Sequence, residues 1–424
     1  MEKRFIEKSL IEKNLIEKNL IEKSPIEKNP IEKNLIEKNL IEKNLIEKRN
    51  LSPIKEAVSL LGFGTMRYPM LGQEIDRETL RAMFDLAMSQ GVNYYDTAYV
   101  YHGGQSEVMV GELLVDRYPR ESFLLADKMP GWKLPQQATA QDMMDIFHEQ
   151  QRRLHTEHID FYLIHSLDLP AWEKLLTQGV LDFIQQLRES GQVSYIGFSF
   201  HDDPESLRPI LAATKWDFAQ IQLNYYDWQG EQNAAEQYRI LSEAGLPIIV
   251  MEPIRGGALA SLPEEGQACL EKAGMSSGAA AALRWVGSKE QVLTVLSGMS
   301  SLPQMEENCA TFQSFRPINE EEEAAIQGAV AALNNRSFIP CTGCRYCCDE
   351  CPQGIDVSKA LKAKNEYLSF QNAATLNNYY RLLKPGERPQ DCRCCGACAR
   401  VCPQGIDVPT EMVKLAEELQ RVLG

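Results

Sequence analysis

The rhythm of apolar positions changes near Val58. From there on, short β-branched and aromatic runs alternate with stretches whose apolar residues recur every three or four positions. The first pattern predicts strands, the second amphipathic helices. Strands are expected over Val58–Arg67, Asn93–Ala98, Phe123–Met129, Ile159–Ser166, Val193–Phe200, Phe218–Tyr225, Pro247–Ile254 and Val292–Met299. Helical periodicity covers Arg77–Gln90, Glu173–Ser190 and Asn233–Ala244, and Gly91, Gly191 and Gly245 stand where those helices should end. Eight strands in strict alternation with helices predict an α/β fold, a closed (β/α)8 TIM barrel rather than an open sheet. Chemistry in such a barrel gathers at the C-terminal strand ends.

The first fifty residues follow another rule. From Ile6 to Lys48 a five-residue unit, Ile-Glu-Lys-Asn-Leu with small variations, occurs nine times. Five residues advance a helix by about 140° beyond a full turn, so the Leu–Ile pairs wander round the cylinder and build no apolar face. An odd period flips faces at every repeat of a strand. Pro25 and Pro30 interrupt a helix as well. Pentapeptide-repeat solenoids share the period, yet here a long Lys falls two places before each Leu, where that resemblance requires a small inward residue. Residues 1–50 are therefore expected to be a low-complexity tail, disordered or marginally helical and without chemistry; self-association is the sharper alternative.

The net charge of −15 changes the list of partners. Residues 1–50 hold ten Glu, ten Lys and two Arg, a net +2, which leaves −17 on the remainder. Nucleic acid and anionic membranes both demand basic surface, so neither is expected as a partner. No stretch reaches the apolar length of a membrane span, and the N-terminus carries no hydrophobic signal core. Ten of the twelve Cys lie in the last hundred residues. That crowding suits metal ligation in a reducing cytoplasm better than disulfides, and a cytoplasmic location is expected.

The cysteines form two complete runs. Cys341-x2-Cys344-x2-Cys347-x3-Cys351-Pro352 is followed by Cys392-x2-Cys395-x2-Cys398-x3-Cys402-Pro403. The segment Cys-Pro-Gln-Gly-Ile-Asp-Val stands at both 351–357 and 402–408. Each run resembles the bacterial ferredoxin motif, in which closely spaced thiolates wrap an iron–sulfur cluster. Two [4Fe–4S] clusters are expected, with structural zinc as the plainer alternative. By analogy with two-cluster ferredoxins, the fourth Cys of each run ligates the other cluster. One set is then Cys341, Cys344, Cys347 and Cys402, the other Cys392, Cys395, Cys398 and Cys351. Cys348 and Cys394 are out of register and read as bystanders; Cys269 and Cys309 read as small apolar residues of the barrel.

The predicted strand ends carry their own constellation. Asp96-Thr97-Ala98-Tyr99-Val100-Tyr101 closes the second strand, Lys128 the third and His165 the fourth. A carbonyl that accepts hydride needs a proton for its alkoxide, and a phenol near pKa 10 gives one reluctantly. A nearby ammonium lowers the phenol's pKa, a carboxylate holds that ammonium, and an imidazole can orient the carbonyl. Taken singly, Asp96 could be a helix cap and His165 a satisfied core residue. Tyr94, Tyr95 and Tyr99 read as packing residues.

At these residues the chain resembles the aldo-keto reductases, over roughly Leu61–Phe312. The likeness runs through Gly62-Phe63-Gly64-Thr65-Met66, the Asp96…Tyr101 motif, Lys128, His165 and Ile196-Gly197-Phe198-Ser199. It continues through Gln220…Asn224, Glu252-Pro253-Ile254-Arg255-Gly256-Gly257 and Ser297-Gly298-Met299…Glu306-Glu307-Asn308. The resemblance implies a catalytic tetrad of Asp96, Tyr101, Lys128 and His165, with Tyr101 as proton donor. It implies NADP or NAD bound across the barrel mouth, touched by residues among Gly64, Thr65, Met66, Ser199, Gln220, Arg255, Gly256, Gly298, Met299, Gln304 and Asn308. Two departures stand out. The stretch after the eighth strand has no Lys or Arg to hold a 2′-phosphate, although Arg255 could partly substitute. Phe200 replaces the asparagine that often accompanies Ser199.

Asn319–Asn335 is expected to be a helix with an acidic start, and helices are expected over Ser358–Leu368 and Ala373–Leu383 between the cysteine runs. That spacing resembles the α-helical ferredoxin domains attached to dehydrogenase subunits. The expected organisation is the tail 1–50, a barrel over 51–335 and a small, mainly α-helical iron–sulfur domain over 336–424. As a whole this resembles a bacterial aldo-keto reductase subfamily with a C-terminal ferredoxin-type domain. Three readings stay open: a carbonyl reductase (or alcohol oxidant) whose clusters pass electrons to a partner protein or a bound flavin; the same enzyme with structural clusters; and a nucleotide-binding redox sensor or electron carrier. Hydride moves two electrons and each cluster one, yet no motif demands flavin.

Overall fold

The computed structural model describes residues 45–72, 74–229, 233–313, 315–334, 339–370 and 373–423. The expected N-terminal tail lies almost wholly outside them. Eight strands close into a parallel barrel. In chain order they are β1 Leu61–Gly64, β2 Tyr94–Asp96, β3 Leu124–Met129 and β4 Ile159–Leu167, then β5 Val193–Phe200, β6 Phe218–Gln222, β7 Ile248–Met251 and β8 Val292–Ser297.

Alternation along each strand decides what enters the barrel. Tyr94 of β2, Phe161 of β4 and Phe218 of β6 turn inward with Tyr195 of β5 and form one buried aromatic layer. Gly197 of β5 makes room for it, since a Cβ there would stand 2.6 Å from the carbonyl oxygen of Phe218. Two residues further along the same inward rows come Asp96, Ser199 and Gln220; four further along β4 from Phe161 comes His165. The register sets Gly64 beside Asp96, Asp96 beside Ala126 and Lys128 beside Leu163. The polar layer thus rests on a dry aromatic floor.

The first predicted strand is divided. Val58–Ser59 pairs antiparallel with Lys48–Arg49, and only Leu61–Gly64 joins the barrel. Ile46, from the last copy of the repeat, is buried in the core, and Arg49 donates to the carbonyls of Lys289 (3.0 Å) and Val292 (2.8 Å). The helix expected over Glu173–Ser190 is two helices, Leu169–Thr177 and Val180–Ser190. Gly179, at φ 84°, breaks it in a conformation that a side chain would strain. Helix Glu320–Asn334 follows the barrel, its first turn capped by Asn319, whose Oδ1 accepts from the Glu322 N–H at 2.9 Å.

Beyond it, the duplicated heptapeptide explains the second core. Asp356 accepts from the Lys359 N–H at 3.0 Å and starts helix Val357–Phe370. Asp407 caps Val408–Leu423 in the same way, through the Thr410 N–H at 3.3 Å. Ile355, Val357, Ile406 and Val408 are all buried, together with Leu415, Cys347 and Cys398. Each copy is therefore a cysteine loop, a cap and a helix start. Helix Ala373–Arg381 packs between these two helices.

Candidate active site and cysteine cavities

Lys128 is fully buried at the mouth end of β3. Its ammonium donates to Asp96 Oδ1 at 2.5 Å, to the Thr97 carbonyl at 2.7 Å and to the Tyr101 hydroxyl at 3.4 Å. Asp96 receives a further bond from Gln220 Nε2 at 3.0 Å, which fixes the carboxylate that fixes the amine. His165 faces Tyr101 edge-on with ring centroids 5.9 Å apart. The four residues singled out at the strand ends thus meet in one place.

Their electrostatics are set by dryness. Burial pushes the Asp96 carboxyl above the ordinary range, against the opposing pull of Lys128 and Gln220. Burial, then the neighbouring charges of Asp96, Glu252 and Asp127, carries the Tyr101 phenol well above 10. This differs from the expected lowering by the ammonium: the resting phenol keeps its proton. Burial and the Lys128 charge hold His165 far below the usual histidine range, so its imidazole is neutral. Its Nδ1 is buried and has no hydrogen-bond partner among the described residues. A buried nitrogen left without a donor or acceptor suits a ligand oxygen.

The residues expected to touch a dinucleotide surround this layer. Thr65 Oγ1 donates to the Asp96 carbonyl at 2.9 Å, and Ser199 Oγ accepts the Ser166 N–H at 2.7 Å. Gly64 ends β1, with Met66 partly exposed two residues on. Asn308 Nδ2 donates to Ser297 Oγ at 2.9 Å, Met299 is buried, and Gln304 Oε1 accepts the Ser300 N–H at 2.8 Å. Arg255 is buried, with Nε on the Asp227 carboxylate at 3.0 Å and its guanidinium over the Tyr226 ring. Phe200 is buried too.

Several neighbours were not singled out from sequence. Arg67, just past β1, lies against Gly298, reaches Glu252 at 3.4 Å and donates to the Thr342 carbonyl at 2.5 Å. Glu252 follows β7 at φ 54°, and burial raises its carboxyl. Trp132 stands 5.0 Å from the His165 ring, and Tyr346 stands 6.4 Å from Trp132. Burial, followed by Tyr101 and Cys344, pushes the Tyr346 phenol well up. A charge at a strand end was the available signal for Arg67 and Glu252; Tyr346 sits inside a cysteine run and offered none.

Comparison with known proteins bears directly on this geometry. The sequence profile of the Aldo/keto reductase family matches residues 60–331. The chain belongs to the aldo/keto reductase family. Its relatives include the L-galactose dehydrogenase of Arabidopsis thaliana, 23% identical over 282 residues, 63% of this chain and 88% of that one. Another is the uncharacterized oxidoreductase YqkF of Bacillus subtilis, 24% identical over 301 residues, 64% and 92% of the two chains. A solved aldo-keto reductase from Bacillus halodurans, in its holo form, superposes with a TM-score of 0.56 at 25% identity, covering 66% of this chain and 95% of that one. The closed barrel of this aldo/keto reductase is the fold expected of an oxidoreductase in that family.

A second profile, the 4Fe-4S dicluster domain, matches residues 340–406 of this reductase. Cys341, Cys344, Cys347 and Cys402 line one cavity, and Cys351, Cys392, Cys395 and Cys398 another. The fourth Cys of each run crosses to the other set. Among the described residues, no three His, Cys, Asp or Glu side chains converge on a single ion. Four thiols line each cavity, a donor set that fits an iron–sulfur cluster. Cys348 and Cys394 lie outside both linings; Cys348 Sγ reaches Asp356 Oδ1 at 3.4 Å, and Cys394 is exposed. Cys309 is buried, its thiol pushed up to about 12 by burial, while Cys269 packs on Gly328. No helix among the described residues is long and apolar enough to cross a membrane.

Proposed function

We propose that the protein interconverts a carbonyl and an alcohol with NADP or NAD, and that two [4Fe–4S] clusters exchange single electrons with a partner protein or with a bound flavin, which would divide the electron pair of the hydride. The observation that carries the first half is the buried Lys128 ammonium, 2.5 Å from Asp96 and 3.4 Å from the Tyr101 hydroxyl, beside an unpartnered imidazole nitrogen. When bound, the nicotinamide supplies hydride and the clusters single electrons. The chain does the rest. Tyr101 gives its proton to the carbonyl oxygen as that oxygen gains charge. Lys128 balances the resulting phenolate, and Asp96, Thr97 and Gln220 hold Lys128 in line. Neutral His165 orients the carbonyl by hydrogen bonding.

Thr65, Met66, Ser199, Gln220, Gly298 and Asn308 would hold the dinucleotide. Both arginines near the expected phosphate position already face carboxylates, Arg67 with Glu252 and Arg255 with Asp227. That supports use of NAD at least as readily as NADP. In the cluster domain, the Cys341–Cys402 set lies on the barrel side, because Thr342 and Gln404 both bond barrel residues. Around the other set Cys395 is exposed, flanked by exposed Arg393 and Arg400. A basic collar on an acidic chain favours an acidic one-electron carrier as partner.

The test is anaerobic titration of the iron-loaded protein with NADH and NADPH while the visible cluster band is followed. Bleaching is expected. A constant band while an added aldehyde consumes the nicotinamide would instead leave a reductase with structural clusters. That second reading draws support from the close seating of the first cysteine loop on the barrel.

A further inference from the structure

The structure assigns to the cysteine-rich domain a part of the barrel's own substrate pocket: Tyr346 is a specificity-determining wall that favours flat, apolar carbonyl compounds. The assignment rests on the reductase reading above and adds the substrate class.

Four aromatic side chains follow one another around the tetrad. Tyr101 meets His165 edge-on at 5.9 Å, His165 meets Trp132 at 5.0 Å, and Trp132 meets Tyr346 edge-on at 6.4 Å. Trp132 thus stands between the imidazole of the tetrad and Tyr346. Three of these rings come from barrel loops and strands. The fourth comes from a short helix, Tyr346–Asp349, which begins two residues after the cluster-ligand candidate Cys344 and contains Cys347. Trp132 is 45% exposed, unusual for so large a ring, although it packs on His165 of the catalytic layer.

Three contacts hold the two cysteine loops against the barrel. Gly256, at φ 64°, lets the Thr342 backbone approach so closely that a Cβ would stand 2.1 Å from its carbonyl oxygen. Arg67 donates to the same carbonyl at 2.5 Å. On another side, the buried amides of Gln222 and Gln404 bond each other at 2.7 and 3.2 Å. The first cysteine loop is thus fastened to the barrel at Thr342, four residues before Tyr346, and the second at Gln404. The surrounding charges also select: Lys128 is paired with Asp96 and Arg67 with Glu252, so each cation beside the site already faces a carboxylate. Carboxylated substrates are disfavoured, while aryl and other flat apolar carbonyls can pack edge or face against the rings.

The experiment compares the iron-loaded enzyme with Tyr346→Ala and Tyr346→Phe, using benzaldehyde and propanal as probes. Binding of benzaldehyde is read from quenching of Trp132 emission, taken as the difference from a Trp132→Phe protein. Turnover is read from nicotinamide consumption. In Tyr346→Ala, benzaldehyde binding and kcat/KM should weaken about tenfold, with propanal changed far less. Tyr346→Phe should restore the benzaldehyde values, and the visible cluster band should match in all three proteins. Equal loss for both aldehydes, or no loss for either, overturns the assignment. If no aldehyde turns over but benzaldehyde quenching still depends on residue 346, the reductase reading fails and the wall stands.

Discussion

The barrel and the cysteine-rich domain reach their shapes by different means. The barrel fills its interior with Tyr94, Phe161, Tyr195 and Phe218 and surrounds it with helices packed on a continuous apolar shell. Nothing in that core waits for a ligand. The C-terminal domain has a much smaller core, in which Cys347 and Cys398 are themselves buried members and two cysteine loops form the walls. Small domains of this kind bury too little apolar surface to stand without a staple. One region is organised by its apolar core; the proposed clusters are the staple the other would need. Yet the second region supplies Tyr346 to the first.

The largest expected effect lies wholly within the barrel. Tyr101→Phe removes the proton donor while keeping the ring that faces His165. Carbonyl reduction should fall by about 10²- to 10⁴-fold. The thermal midpoint and the cluster spectrum should stay as in the parent. Turnover near the parent's would place the proton donor elsewhere, with Tyr346 the first residue to examine.

The next effect separates the two regions directly. Stripping iron with a chelator under reducing conditions should unfold the cysteine loops and expose the amides of Val357–Phe370 and Val408–Leu423 to hydrogen exchange. Amides of Leu124–Met129 and Ile159–Leu167 should remain protected. Local opening of the first two helices should become easier by several kcal/mol, as expected for a domain whose folding energy comes largely from its metal. Equal protection before and after chelation would show that the C-terminal core stands alone and would dissolve the contrast.

Much of this was legible along the chain, and the reasons are physical. Short β-branched and aromatic runs between helical stretches marked all eight barrel strands, because strands buried on both faces of a parallel barrel read as near-continuous apolar runs. Asp96, Lys128 and His165 could be brought together because strand ends of successive βα units are neighbours. The crossing of Cys351 and Cys402 followed from ferredoxin analogy, and the cavity linings agree with it. What the sequence hid was contact between distant segments. Nothing local marks Gln222 as the partner of Gln404, 182 positions away, or Thr342 as the neighbour of Gly256. Tyr346 was concealed because spacing in its loop answers to the cysteines. The Tyr101 phenol was misjudged for a related reason: the ammonium was visible in sequence, whereas the burial that outweighs it was not. Gly179 could have divided the helix predicted across it, had its left-handed preference been weighed against the apolar pattern.

The smallest effect probes the barrel wall behind the tetrad. Asp127 neighbours Lys128 in β3 but faces away from the barrel interior, fully buried beside Glu107. Gln150 donates to it at 2.7 Å, and Arg153 pairs with Glu107 at 2.7 Å. Burial, then the charge of Glu107, pushes the Asp127 carboxyl well above its ordinary range, while Glu107 Oε1 has no donor of its own. A proton kept on Asp127 in the folded state supplies that donor. The unfolded chain releases the same proton near pH 4, so the folded state binds more protons than the unfolded one above that point. Stability from this pair is complete below the unfolded value and declines as pH rises through the folded one. The slope from a single proton is at most about 1.4 kcal/mol per pH unit. Asp127→Asn keeps the shape, removes the titration and should flatten the dependence of the barrel's urea midpoint on pH above about pH 4, where the unfolded chain has lost the proton. An unchanged slope would show that the proton sits elsewhere; a slope of opposite sign would mean that both carboxylates are ionised and held by Arg153.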